Sequence, residues 1–198
     1  ADTVILLHDY NSSGQQFFDS SQIAASFGIR QMRVIAPDAI DGLFNSGSNP
    51  NSTVDDVAFL NALIARYHAP QARLVVLGIG TGASMAARFA TRSAYPLDGV
   101  GMVAGFMFDS TRLDTNLPDA STQSAAAAET TSFNQSLLNQ APLSQAPLRQ
   151  APPRKSVILY GEADPLAPAV ARNITLNDGR ELAVPGRQKT VNLWGQWL

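Results

Sequence analysis

Short apolar runs separated by polar stretches rich in glycine and proline divide the chain into alternating strands and helices. Runs at 3–7, 32–36, 74–77, 100–104 and 156–160 are rich in Val, Ile and Leu and closed by turn formers, which predicts buried strands of a parallel sheet. Between them the apolar spacing becomes helical. Phe17, Phe18, Ile23, Ala24 and Phe27 share one face of a segment over 15–27 that ends at Gly28. Val57, Phe59, Leu60, Leu63, Ile64 and Tyr67 form the apolar side of a second helix, with Thr53 as its expected cap ahead of Asp55 and Asp56. A third helix is expected over 83–92, and an amphipathic one over 189–198 with Val191, Trp194 and Trp197. Asn177-Asp178-Gly179-Arg180 reads as a tight turn between two short extended pieces. This alternation predicts an α/β fold: a doubly wound, mainly parallel sheet of about five strands with helices on both faces.

One stretch departs from the alternation. Residues 106–155 contain Ala125 to Ala128 and three copies of Gln-Ala-Pro at a spacing of five, in Asn139-Gln-Ala-Pro-Leu143, Ser144-Gln-Ala-Pro-Leu148 and Arg149-Gln-Ala-Pro-Pro153. Repeated prolines break helix and sheet ladders, so residues 106–155 are expected to be a cap or linker insertion in one domain spanning 1–198.

Composition narrows the chemistry. The chain of 198 residues has 45% hydrophobic and 15% charged residues and a net charge of −2, values of an ordinary globular domain without the basic field that nucleic acid requires. No apolar run approaches the roughly 18 residues of a membrane span. There is no cysteine, which removes disulfides, thiolate nucleophiles and cysteine metal sites. The two histidines, His8 and His68, have no ligand partner at a metal-binding spacing, so neither metal nor cofactor is expected.

The chemistry-bearing stretch is Gly78-Ile79-Gly80-Thr81-Gly82, where a strand turns into a helix through alternating glycines. The serine-hydrolase elbow has the form G-x-S-x-G with serine raised at the tip, and here the tip position, Gly80, is glycine. A dinucleotide loop starting at Gly78 would place Ala83 at its third glycine position, which that pattern accepts, and a Walker loop lacks its lysine. A packing turn without chemistry explains the glycines as well. Ser84, in the loose frame Gly82-Ala83-Ser84-Met85-Ala86, falls about a turn into the helix rather than at the tip. His8 at a strand end reads as held by local hydrogen bonds rather than as a relocated base.

In their order and spacing these pieces resemble the α/β-hydrolase fold, and within it the secreted esterases that include polyhydroxybutyrate depolymerases and feruloyl or acetylxylan esterases. Leu6-Leu7-His8 is similar to the family's oxyanion segment, residues 78–88 to its nucleophile elbow, and Gly161-Glu-Ala-Asp164-Pro-Leu-Ala-Pro168 to its acid segment. The resemblance makes Gly80 the nucleophile position, with its serine lost, and Asp164 the triad acid. It makes the N–H groups of Thr81 and Tyr10 the oxyanion hole, and places His8 and Asp9 in the cleft beside them. No histidine follows Asp164 in this sequence, and Asp9 stands where the family has a small glycine, adding negative charge where negative charge develops.

The first expectation is therefore a protein of serine-esterase lineage without ester hydrolysis, binding a small-molecule ester or polymer in the old cleft and a protein partner through the Gln-Ala-Pro segment. The alternatives are a serine carboxylic-ester hydrolase in inactivated or truncated form, in which serine at position 80 restores hydrolysis, and a nucleotide-binding Rossmann-type domain. A secreted or periplasmic location follows from the resemblance alone.

Overall fold

The computed structural model describes residues 1–21, 32–48, 52–107, 155–160, 171–176, 178–184 and 186. Asp164, the Gln-Ala-Pro stretch, the helix expected over 189–198 and the later part of the helix expected over 15–27 lie outside them.

Five strands form one parallel sheet: β1 (Thr3–Leu7), β2 (Arg33–Ile35), β3 (Leu74–Ile79), β4 (Gly99–Val103) and β5 (Ser156–Leu159). Their order across the sheet is β2-β1-β3-β4-β5. Val4 of β1 lies between Val34 and Val75 of its two neighbours, and Leu7 pairs with Gly78. Every residue of β1 is buried, as its unbroken apolar run requires of a strand covered on both faces.

Among the described residues the α-helices are α1 (Gly14–Ser20), α2 (Asp56–Tyr67) and α3 (Thr81–Arg92). The chain runs from β1 outward to β2, then back across β1 to β3 and on to β4, and crossovers between parallel strands of one sheet are right-handed as a rule. This reversal puts α1 on one face and α2 and α3 on the other, and it opens a crevice between the carboxyl ends of β1 and β3, where doubly wound sheets hold ligands. The core lies under α3, whose Ala83, Met85, Ala86, Phe89 and Ala90 pack with Leu74, Val76, Val100 and Met102.

Two strands stand apart from the main sheet. β6 (Arg172–Thr175) and β7 (Glu181–Val184) pair antiparallel around a turn at Asp178 and Gly179, as expected from the turn chemistry. Helix boundaries differ from expectation at two points. The cap of α2 is Asp55 rather than Thr53, because the Asp55 carboxylate accepts the Ala58 N–H at 3.0 Å. Helix α3 begins at Thr81, two residues early, because the strained turn is completed by one residue, Gly80.

Asp56, the first residue of α2, is buried and accepts the Asn45 N–H at 2.6 Å. Burial, the largest influence, pushes its carboxyl above the ordinary value, against the Asn45 hydrogen bond. The folded state thus holds this proton more tightly than the unfolded chain does. The stability Asp56 contributes is full below the unfolded carboxyl value and is lost as pH rises through the raised folded value. Asp56→Asn keeps an acceptor for Asn45 without the charge, so it should gain stability relative to the native chain on going from acid to neutral pH. Urea midpoints of the two proteins at pH 4 and pH 7 check this; a difference that does not change with pH would contradict it.

Candidate functional site

The crevice is built from two strand ends held side by side by the pairing of Leu7 with Gly78. From β1 the chain continues as His8-Asp9-Tyr10, and from β3 as Gly80-Thr81. Gly80 has φ 56° and ψ −120°, its N–H donates to the Val103 carbonyl at 2.9 Å, and its carbonyl accepts the N–H groups of Ala83 and Ser84. A positive φ of this kind is costly for any residue with a Cβ. The turn is thus a sharp strand-to-helix elbow of the kind on which α/β-hydrolases raise their nucleophile. Gly82 serves a different need: a Cβ there would lie 2.2 Å from the Leu7 carbonyl oxygen and 2.3 Å from that of His8.

The Asp9 carboxylate fills the elbow. Its Oδ1 accepts the N–H of Tyr10 at 2.7 Å, the N–H of Thr81 at 2.8 Å and the Thr81 hydroxyl at 3.2 Å. The amides expected to form an oxyanion hole thus converge on one point, and that point holds a side chain of the same molecule. A Cβ on Gly80 would lie 2.1 Å from Asp9 Oδ1 and 2.4 Å from Oδ2, so the carboxylate occupies the volume in which a side chain at position 80 would begin. Gly80 offers α3 no side-chain cap, and Asp9 supplies one from the neighbouring strand end, where the helix N-terminus favours negative charge.

His8 is closed off from solvent. Its ring is fully buried and packs against Phe44 with ring centroids 4.8 Å apart. Nδ1–H donates to the Asp9 carbonyl at 2.7 Å, while Nε2 accepts the Ala39 N–H at 3.0 Å. Both nitrogens are committed to the backbone, so the imidazole braces the loop and has no lone pair for a nucleophile. Ser84 is likewise interior, with Oγ accepting the Phe106 N–H at 2.9 Å.

Beside Tyr10 lies an open pocket of about 620 Å³ lined by Tyr10, Asn11, Asp41, Asp178 and Arg180. The β6–β7 hairpin supplies its far wall. Arg180 holds its guanidinium 5.4 Å from the centre of the Tyr10 ring, donates to the Asp41 carbonyl at 3.1 Å and pairs with Asp178 at 2.5 Å. The Arg180 backbone N–H, the largest influence, and its guanidinium hold the Asp178 carboxyl below the ordinary value. Asn11 and Asp41 have φ of 53° and 52°, and the Asn11 N–H donates to the Gly42 carbonyl at 3.0 Å, which ties the two loops together. Asn and Asp-Gly tolerate such backbone, so this much was available locally. The approach of Arg180 was not, since it spans 139 positions.

Among the described residues, no group of three or more His, Cys, Asp or Glu side chains is placed to hold a metal ion. No described helix is long and apolar enough to cross a membrane.

No family model and no curated protein matches the chain. Among solved structures it is similar to esterase PE8, at 15% identity and a TM-score of 0.46 over 100% of this chain and 93% of that one. It is similar to a phospholipase/carboxylesterase from Dyadobacter fermentans DSM 18053, at 12% identity and a TM-score of 0.48 over 90% and 85% of the two chains. Arabidopsis thaliana SOBER1 aligns at 15% identity and a TM-score of 0.44 over 60% and 68%. The architecture stated for this chain, a doubly wound α/β sheet with a strand-to-helix elbow at its switch point, rests on its own strand order and dihedral angles.

Proposed function

We propose that the chain is an α/β-hydrolase-like protein of serine-esterase lineage that does not hydrolyse esters by the serine route and instead binds a ligand beside the old elbow. The observation that carries this reading is the Asp9 carboxylate, seated on the amides of Tyr10 and Thr81 in the volume a nucleophile at position 80 would use. Acyl transfer needs a hydroxyl at the elbow and empty donors where the oxyanion forms. Here the hydroxyl is replaced by hydrogen, and the donors already hold a negative charge. In this reading Gly80 is the former nucleophile position, Thr81 and Tyr10 the former oxyanion donors, and Asp164 the former triad acid. The open pocket at Tyr10 and Arg180 is where a small ester or polymer would be held, and the Gln-Ala-Pro segment is the tether for a protein partner. Thr81 N–H is the amide a dinucleotide phosphate would use at this helix start, and its engagement by Asp9 weighs against the nucleotide-binding alternative.

The test is direct. The purified chain should release no 4-nitrophenol from 4-nitrophenyl butyrate above the rate with bovine serum albumin, and should not be labelled by a fluorophosphonate probe. Labelling that is lost on heat denaturation would overturn the proposal.

A further inference from the structure

We propose that the pocket beside Tyr10 is a guanidinium site, that the chain's own Arg180 fills it, and that a ligand bearing a guanidinium group displaces Arg180 and is held in its place. The inference rests on the reading that a ligand is bound in this pocket. It adds the chemical class of the group that enters and the contact that holds the site closed.

The partners of a planar cation are already assembled. The Arg180 guanidinium carbon lies over the Tyr10 ring, 5.4 Å from its centre, within the range of a cation–π contact. The Asp178 carboxylate accepts its Nε–H at 2.5 Å, and the Asp41 carbonyl accepts an Nη2–H at 3.1 Å. An aromatic face with acceptor oxygens beside it suits a guanidinium, which stacks flat and donates in its own plane, better than a compact ammonium.

The walls are set independently of Arg180. Asn11 and Asp41, on the loops after β1 and β2, hold a costly positive φ, and the bond from Asn11 N–H to the Gly42 carbonyl keeps the loops together. Arg180 reaches them from a hairpin that stands apart from the main sheet. Its hold is weak, because the side chains of Arg180 and Asp178 are 30% and 40% exposed and such pairs contribute little. With Arg180 in place the pocket still encloses about 620 Å³ and is open, so a ligand can enter before Arg180 leaves. Asp41 and Asp178 outnumber the one cation of the lining, which disfavours an anionic ligand, whereas exchange of one guanidinium for another leaves the charge unchanged.

Calorimetric titration with methylguanidinium chloride at constant ionic strength tests this. Arg180→Ala should bind methylguanidinium at least about tenfold more tightly than the native chain, whose site is free only for the fraction of time that Arg180 is out of it. Tyr10→Leu added to Arg180→Ala should abolish that gain. Tetramethylammonium, a cation with no N–H to donate, should bind at least about tenfold more weakly than methylguanidinium. In the native chain, which requires no variant to fold, saturating methylguanidinium should speed solvent exchange of the Arg180 Nε–H as it is released from Asp178. Equal affinity of the native chain and Arg180→Ala, or an Nε–H that exchanges no faster with methylguanidinium bound, would overturn the inference. Binding of ethyl butyrate that Tyr10→Leu abolishes, with no binding of methylguanidinium, would overturn it while leaving the ligand pocket itself in place; binding of neither would remove both.

Discussion

Gly80→Ser is expected to lower stability by about 3 kcal/mol and to produce no esterase. A side chain at φ 56° costs about 1–3 kcal/mol on its own. The new Cβ would also lie 2.1 Å from the Asp9 carboxylate, which must swing away and give up its bonds to Tyr10 and Thr81. Loss of that cap removes about 1 kcal/mol more. Asp9→Gly alone should lose only the cap. In the double variant the serine enters a vacated space, so the two changes should be less damaging together than their sum, with a coupling above about 1 kcal/mol. Urea unfolding of the four proteins measures it. Strict additivity would mean that Asp9 and Gly80 are not a matched pair, and a Gly80→Ser enzyme that hydrolyses 4-nitrophenyl butyrate would restore the alternative of a simply inactivated serine esterase.

The parts of this molecule that a linear reading reaches are those set by burial and local turns. β1 is legible because its apolar run is unbroken and both of its faces are covered, and the hairpin because Asp178-Gly179 favours a tight turn. The cap of α2 was ambiguous because Thr53 and Asp55 are both good cap residues, and only the hydrogen bond to Ala58 distinguishes them. At the site, the glycine at position 80 and the added charge at Asp9 were each visible, but as two separate losses. Their complementarity was not visible, because the contact between Asp9 and Thr81 spans 72 positions and depends on the rotation of one side chain into a space that only glycine leaves. Arg180 over Tyr10 is of the same kind: neither residue carries a local sign of the other.

The elbow also places a limit on change that has nothing to do with the missing nucleophile. Gly82→Ala should destabilise the fold by about 3 kcal/mol, the upper part of the overpacking range, because the added methyl would lie 2.2 Å from the Leu7 carbonyl oxygen and 2.5 Å from its carbon. These are backbone atoms at the end of β1, the strand between β2 and β3, and they cannot rotate aside as a side chain would. Helix α3 must therefore move away from β1 at its first turn. The same movement lengthens the bond from Thr81 N–H to Asp9, so the site should loosen with the fold. In a chain of this size the expected loss corresponds to a melting temperature lower by about 10 °C. Calorimetry measures the first effect, and hydrogen exchange of the Thr81 amide, which donates to Asp9, measures the second. A Gly82→Ala protein that melts with the native chain would show that α3 can draw back from β1 without cost, and the close approach of strand end and helix start would then not be what fixes the geometry of the elbow.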